Sequence, residues 1–385
     1  MAENFCIMKI LIAADIFPPQ PGGPATYCVT IANELTKAGD DVRVVSLNPN
    51  SDTLAVICRI NAVKYKNKVL RYLNYFSLLY KYSKDVDVIY AMGPVNAGLP
   101  ALIISKLRNK RLATKIVGDY AWEQGVQRFD VKESMDEFQE RSKHKIGVRF
   151  LRWIQKLVAY KSTNVIVPSI YLKRIVTGWG LSGHCVQVVF NSSHFEDVGL
   201  VDKPENEKWI VSAGRLVPWK GMGILISAMP DVLKKYPNAK LKIFGDGPEM
   251  DNLKSKVAEL KLEGAVDLLG AVDRKNLLCN INSADVFVLN SGYEGLSHVI
   301  LESLYVGTPV LTSNIGGNPE LIIPGKNGNL FPLNDKETIK KMILEFLGNN
   351  NLSWGEQEKE KFFKQFSLDS MIKNTREALQ NICKN

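Results

Sequence analysis

Two carboxylates and two cations stand out in this 385-residue chain for where they fall. Glu294 and Glu302 lie in Asn290-Ser-Gly-Tyr-Glu-Gly-Leu-Ser-His-Val-Ile-Leu-Glu302. A carboxylate accepts from two neighbouring hydroxyls at once, so such residues suit polyhydroxylated ligands. Arg215 and Lys220 lie in Gly214-Arg-Leu-Val-Pro-Trp-Lys-Gly221, and fixed cations neutralise phosphate charge without a metal. Two glycine-rich stretches accompany them, Pro21-Gly-Gly-Pro24 with Gly22 and Gly23, and Gly245-Asp-Gly-Pro-Glu249. Glycine at such places either lets backbone approach a phosphate or simply makes a tight turn.

Each of these groups follows an apolar run and precedes a helical pattern. Asp285-Val-Phe-Val-Leu289 predicts a buried strand, and Ser297 to Val306 a helix that ends at Gly307 with Pro309 beyond. Glu294 then sits in the loop off a strand's carboxyl end, and Glu302 well inside the following helix. Ligands of open α/β sheets bind in that crevice. The N–H groups of Leu296, Ser297 and His298 favour an anion there. His298 either contacts that anion or packs as a structural histidine.

The same alternation runs along the whole chain. Strands are expected at Lys9–Asp15, Val42–Leu47, Val56–Ile60, Asp87–Met92, Ala113–Gly118, Asn164–Pro168 and Val186–Phe190, with helices between. A polar stretch, Val201 to Lys208, reads as a linker before a second set beginning at Trp209. The fold class is therefore α/β, with two doubly wound parallel units. The divisions are residues 1–200, 201–365 and a terminal helix, 366–385.

The frame of the two glutamates, with Ser291-x-Tyr-Glu-Gly-Leu and Gly307-Thr-Pro-Val around it, resembles glycosyltransferase family 4. Members are retaining, nucleotide-sugar-dependent enzymes of the GT-B architecture, two Rossmann-like domains facing a central cleft. The resemblance implies that Arg215 and Lys220 grip the donor's phosphates, with Gly22 and Gly23 lying against its diphosphate. It places Glu294 on the transferred sugar and Glu302 on the ribose. Leu269 and Gly270 lie near the base, and Gly295, Leu296, Ser297 and His298 line the phosphate end. It also implies that the last helix crosses back onto the first domain.

The chain departs from the family at Asp119, in Val117-Gly-Asp-Tyr-Ala-Trp-Glu123, where relatives often carry a histidine. An ionised aspartate repels phosphate at close range, so Asp119 is expected to accept from a sugar or acceptor hydroxyl, or to be a polar strand-end residue. Trp122 either stacks on a sugar face or belongs to the core.

The first 200 residues carry 26 basic and 17 acidic side chains, and the remainder 23 of each. A basic half implies an anionic partner. Lys145, Arg149, Arg152 and Lys156 recur along one helical face beside Ile146, Phe150, Trp153 and Leu157. That pairing suits peripheral contact with an anionic membrane and a lipid-linked acceptor, or packing on the sheet. Nucleic acid is not expected, since no recognised binding module is present.

No apolar run reaches the ~18 residues of a membrane helix. The start reads as a first strand, and six scattered cysteines fit a reduced cytoplasmic setting. No ligand cluster calls for a metal, and no cofactor is expected beyond the donor itself. A nucleotide-sugar epimerase or sugar phosphorylase would use a similar two-domain cleft. A dinucleotide-dependent oxidoreductase would need a complete glycine fingerprint, which neither glycine stretch supplies. A silent sugar-binding scaffold would not need the intact Arg, Lys and glutamate pair.

Overall fold

The computed structural model describes residues 7–20, 23–51, 56–141, 143–193, 198–348 and 352–384. The chain forms two compact units: one runs up to Asn191 and resumes at Leu368, the other is Ser192–Ser367.

In the first unit the order is β1 (Lys9–Ala14), α1 (Gly23–Lys37), β2 (Asp41–Ser46), β3 (Arg59–Ala62), α2 (Lys68–Tyr82), β4 (Val88–Met92), α3 (Gly98–Leu107) and β5 (Arg111–Lys115). Then come α4 (Tyr120–Arg128), α5 (Met135–Glu140), α6 (Ile146–Lys161), β6 (Asn164–Val167), α7 (Ile170–Thr177) and β7 (Val186–Val188). The second unit holds β8 (Lys208–Ala213), α8 (Met222–Lys235), β9 (Ala239–Phe244), α9 (Met250–Glu259), β10 (Val266–Gly270), α10 (Arg274–Asn282) and β11 (Val286–Leu289). It ends with α11 (His298–Tyr305), β12 (Val310–Ser313), β13 (Gly328–Phe331), α12 (Lys336–Gly348) and α13 (Glu356–Lys364). The last helix, α14 (Leu368–Lys384), returns to the first unit.

Both sheets are parallel. The first runs β3-β2-β1-β4-β5-β6-β7 and the second β10-β9-β8-β11-β12-β13. Strand order reverses between β1 and β4 in one and between β8 and β11 in the other, so each sheet has one switch point. Central strands are continuous apolar runs because helices cover both faces. Along β1, Ile10 and Ile12 enter one core, and Leu11 and Ala13 enter the other.

The terminal helix is bound by more than apolar contact. Arg376 donates from Nε and Nη2 to both carboxylate oxygens of Asp40, each at 3.0 Å. Asn164 Nδ2 donates to the Ala378 carbonyl at 3.2 Å, and Met371, Ala378 and Leu379 join the first core.

The polar stretch from Val201 to Lys208 is part of the second unit. Val201 N donates to Ser283 Oγ at 2.9 Å, and Lys203 and Lys208 both pair with Asp285. These bonds move the division to Asn191/Ser192.

Candidate functional site

The second unit's switch point gathers three loops. The loop after β8 is fastened to the loop after β9 by backbone packing that only glycine permits. A Cβ on Gly245, whose φ is +129°, would lie 1.9 Å from the Gly214 carbonyl oxygen, and one on Gly247 would lie 2.3 Å from that of Leu216. Gly245 and Gly247 therefore serve a close approach between two loops. Leu216 N donates to the Asp246 carbonyl at 2.9 Å, and Gly245 N to that of Gly270 at 2.7 Å.

The loop after β8 then closes in a single 3₁₀ turn, Pro218–Lys220, and Gly221 takes a left-handed conformation at φ +56°. A Cβ there would collide with the Asn290 side chain and carbonyl. Asn290 is fully buried and acts as a clip. Its Nδ2 donates to Asn334 Oδ1 at 2.8 Å and to the Gly221 carbonyl at 3.3 Å, while its Oδ1 accepts from Asn334 N at 3.0 Å. Gly292 N donates to the Trp219 carbonyl at 2.6 Å. On the far side, Gly317 N donates to the Glu294 carbonyl at 2.9 Å, and Gly316 and Gly317 pack directly on the backbone of Glu294 and Gly295.

This framework brings Lys220 and Glu294 together. Lys220 Nζ donates to Glu294 Oε1, and both side chains are largely buried, at 16% and 14% exposure. The Lys220 stem runs alongside Gly214, where a Cβ would lie 3.6 Å from Lys220 Cε, an ordinary contact; the φ of +153°, not space, is what favours glycine there. Arg215 is exposed, and among the described residues no carboxylate pairs with it. The site thus holds one cation clamped to a carboxylate and a second cation open to solvent.

Helix α11 starts just past this point. Ser297 precedes it, buried, with no side-chain cap bond, and Leu296 is buried beside it. The positive end of the helix dipole adds to the cationic character of the loop. Within α11, Glu302 meets Arg274, the first residue of α10, at 2.8 Å from Nη2 and 3.0 Å from Nε. Burial raises the Glu302 carboxyl above the ordinary glutamate range, and Arg274 opposes that shift. Leu269 is exposed at the end of β10, where the register shifts before Gly270 at φ +69°. Both glutamates are legible in the sequence, whereas Arg274 and Asn290 join the site only in the fold. A signal for Arg274 was its place at the amino end of a helix following a strand, as with Lys220.

The first unit corrects the expectation for Asp119 and decides between the alternatives for Trp122. Asp119 is fully buried and caps α4, its Oδ1 accepting from Trp122 N at 2.9 Å and Gln155 Nε2 at 2.8 Å. Its Oδ2 accepts from Gln139 Nε2 at 2.9 Å, so the carboxylate is consumed by the fold and is not presented to a sugar or acceptor hydroxyl. Trp122 is 4% exposed and donates from Nε1 to the Glu133 carbonyl at 2.9 Å, which makes it a core aromatic. Gly23 begins α1 with open space where a side chain would stand. Gly22 lies outside the described residues.

The basic face of α6 is also revised. Arg152 donates to the carbonyls of Arg141 and Gln139 and stacks over Phe138, so it is structural. Ile146, Phe150 and Trp153 are 85%, 59% and 57% exposed and do not pack on the sheet.

Comparison with known proteins agrees with this architecture. The model of Glycosyltransferase Family 4 matches residues 21–192, and that of Glycosyl transferases group 1 matches residues 196–362. An uncharacterized glycosyltransferase of Methanocaldococcus jannaschii is 31% identical over 242 residues, 58% of this chain and 61% of that protein. The lipopolysaccharide core biosynthesis glycosyltransferase LpsE of Rhizobium meliloti is 30% identical over 200 residues, 51% of this chain and 55% of that one. The chain thus spans less than two thirds of the length of these relatives. Among solved structures, Anabaena HepE in complex with UDP and glucose superposes with a TM-score of 0.74 at 18% identity, covering 97% of this chain and 99% of that one.

Two parallel Rossmann-like units, with glycine-bound cation loops at the switch point of the second, define a protein of the GT-B glycosyltransferase fold. In both halves the chain resembles the family 4 type of these proteins.

Proposed function

We propose that this protein is a retaining glycosyltransferase that moves a hexosyl unit from a nucleoside-diphosphate sugar to a hydroxyl of a glycan or lipid-linked acceptor. The observation that carries the reading is the Lys220–Glu294 clasp at the second switch point, with Arg215 open beside it. A cation and a carboxylate in direct contact suit adjacent parts of one ligand, a phosphate and a sugar hydroxyl. In the proposed step the bond between anomeric carbon and phosphate oxygen breaks while the acceptor oxygen bonds to that carbon from the same face. The leaving phosphate takes the acceptor's proton. Arg215, Lys220 and the amino end of α11 stabilise the phosphate as its charge grows. Glu294 orients the sugar and Glu302, held by Arg274, the ribose. HepE, with UDP and glucose bound, supports a nucleotide sugar as donor, and LpsE supports a role in surface polysaccharide or glycolipid synthesis.

The reading extends to the inner face of the cell membrane. Ile146, Phe150 and Trp153 on α6, Val69 and Leu73 on α2 and Leu107 on α3 are exposed, and α3 packs against both other helices. Lys68, Lys106, Lys145 and Arg149 stand exposed among them. Large apolar tips ringed by lysine and arginine suit an anionic lipid surface. Among the described residues no helix is long and apolar enough to cross a membrane. Flotation with vesicles containing phosphatidylglycerol tests this part: the double variant Phe150→Ser, Trp153→Ser is expected to stay in the unbound fraction. Equal flotation of variant and wild type would refute the surface. Transfer itself is tested with radiolabelled nucleotide sugars and a membrane extract, with label expected in the lipid-linked or glycan fraction. Turnover that forms an epimer or a sugar phosphate instead would overturn the transferase reading.

A further inference from the structure

The first sheet has its own switch point, between β1 and β4, and a cavity of about 400 Å³ opens there. That size is within the range of small-molecule sites, and the place is where open α/β sheets bind ligands. One side of the lining is a linked set of hydroxyl-reading groups. Asn96 Nδ2 lies 3.4 Å from Asp15 Oδ2 and 3.1 Å from the Tyr120 hydroxyl, and the Tyr72 hydroxyl donates to Asn96 Oδ1 at 3.1 Å. Asp15 follows β1 directly and is partly buried.

The other side is cationic. Lys68 and Arg71 on α2 and Arg128 at the end of α4 line the same cavity, and among the described residues none of them pairs with a carboxylate. Arg71 Nε is buried without a hydrogen-bond partner, a cost that a bound anion would remove. Three cations face one lining carboxylate, so the cavity carries an excess of positive charge. Two guanidiniums suit the planar, bidentate recognition of a phosphate.

We propose that this cavity binds the acceptor, and that the acceptor is a hydroxylated ring bearing a phosphate. Arg71, Arg128 and Lys68 hold the phosphate while Asp15, Asn96, Tyr72 and Tyr120 orient the ring hydroxyls. The assignment rests on the transfer reaction proposed above and names the chemistry of its acceptor. A phosphorylated ring arises in two ways, as a soluble sugar phosphate or as a lipid headgroup. The exposed Val69 and Leu73, on the helix that supplies Lys68 and Arg71, are compatible with the lipid source.

The test is calorimetric titration of the full chain with glucose 1-phosphate, glucose and inorganic phosphate. Whichever of UDP, GDP and ADP binds the wild type is held in excess to occupy the donor site. Glucose 1-phosphate is expected to bind at least about tenfold more tightly than glucose, and to lose about tenfold or more in Arg71→Gln and Arg128→Gln. Melting temperatures of the two variants, compared with wild type, establish that they fold. Equal affinity for glucose, or unchanged affinity in both folded variants, would overturn the proposal. So would loss of binding in Arg215→Ala alone, which would place the sugar phosphate in the second unit. Competition with dihexanoyl phosphatidylinositol, a soluble monomer, separates the sources: displacement assigns a lipid headgroup, and its absence a soluble sugar phosphate. Should no nucleoside diphosphate bind while Arg71-dependent binding persists, the cavity stands and the donor reading falls.

Discussion

Lys115 offers a prediction whose magnitude follows from burial. It lies on β5 at 2% exposure, donates from Nζ to the Val189 carbonyl at 3.2 Å, and sits 4.5 Å from the centre of the Tyr27 ring. Burial pushes its ammonium down from 10.5 to about 7. Between these values the unfolded chain holds a proton that the folded chain has released. Stability from this group therefore rises with pH across that window and is lowest below pH 7. From pH 6 to pH 8 the unfolded lysine keeps its proton while the folded one passes from mostly protonated to mostly deprotonated, a gain of about 1.4 kcal/mol. Lys115→Met keeps the buried stem and removes the titration. Urea unfolding of both proteins at pH 6 and pH 8 measures the difference. Asp15 and Glu123, raised by burial to about 6 and about 7, titrate in the same range but occur in both proteins and cancel. The advantage of methionine over lysine should shrink by about 1.4 kcal/mol as the pH rises. A difference that stays constant would refute a titrating, buried lysine.

Other outcomes follow from the site. Lys220→Ala should lower turnover by about 10²–10³-fold, since its loss removes charge stabilisation of the departing phosphate, and should also lower the urea midpoint because Glu294 is left buried without its partner; unaltered turnover would remove Lys220 from the site. Gly245→Ala should destabilise the protein by about 3 kcal/mol, because the new Cβ meets the Gly214 carbonyl and the φ of +129° disfavours it. A near-native midpoint there would contradict the packing of the two loops. Asp119→Ala should cost about 2–3 kcal/mol through the lost helix cap and the bond that each of two glutamine amides loses, with nucleotide affinity retained. Loss of nucleotide affinity in a folded Asp119→Ala protein would return that residue to the ligand site.

The parts of this protein that could be read from sequence are those encoded over short stretches. A strand, a glycine turn and a helix start are local, so Gly214 to Gly221 and Asn290 to Glu302 revealed their positions from composition and spacing alone. What escaped depends on partners distant in sequence. Asp119 reads as a polar residue off a strand, and only Gln139 and Gln155, on two later helices, show that it is spent on structure. Arg152 has the spacing of a basic stripe, yet backbone carbonyls of the segment before α6 claim it. Arg274 and Glu302 belong to consecutive helices that meet only once β11 is in place between β8 and β12. The linker was misplaced for the same reason: Val201 to Lys208 is polar, but its lysines answer Asp285 within the second unit.

The central claim is that Arg215 and Lys220 hold the diphosphate of a nucleotide donor. Isothermal titration of the wild type and of Arg215→Ala and Lys220→Ala with UDP, GDP and ADP tests it most directly. The account predicts that one of the three nucleotides binds the wild type, and that each variant, still folded, loses about tenfold or more of that affinity. Binding of equal strength in all three proteins would contradict it, as would binding of none to the wild type.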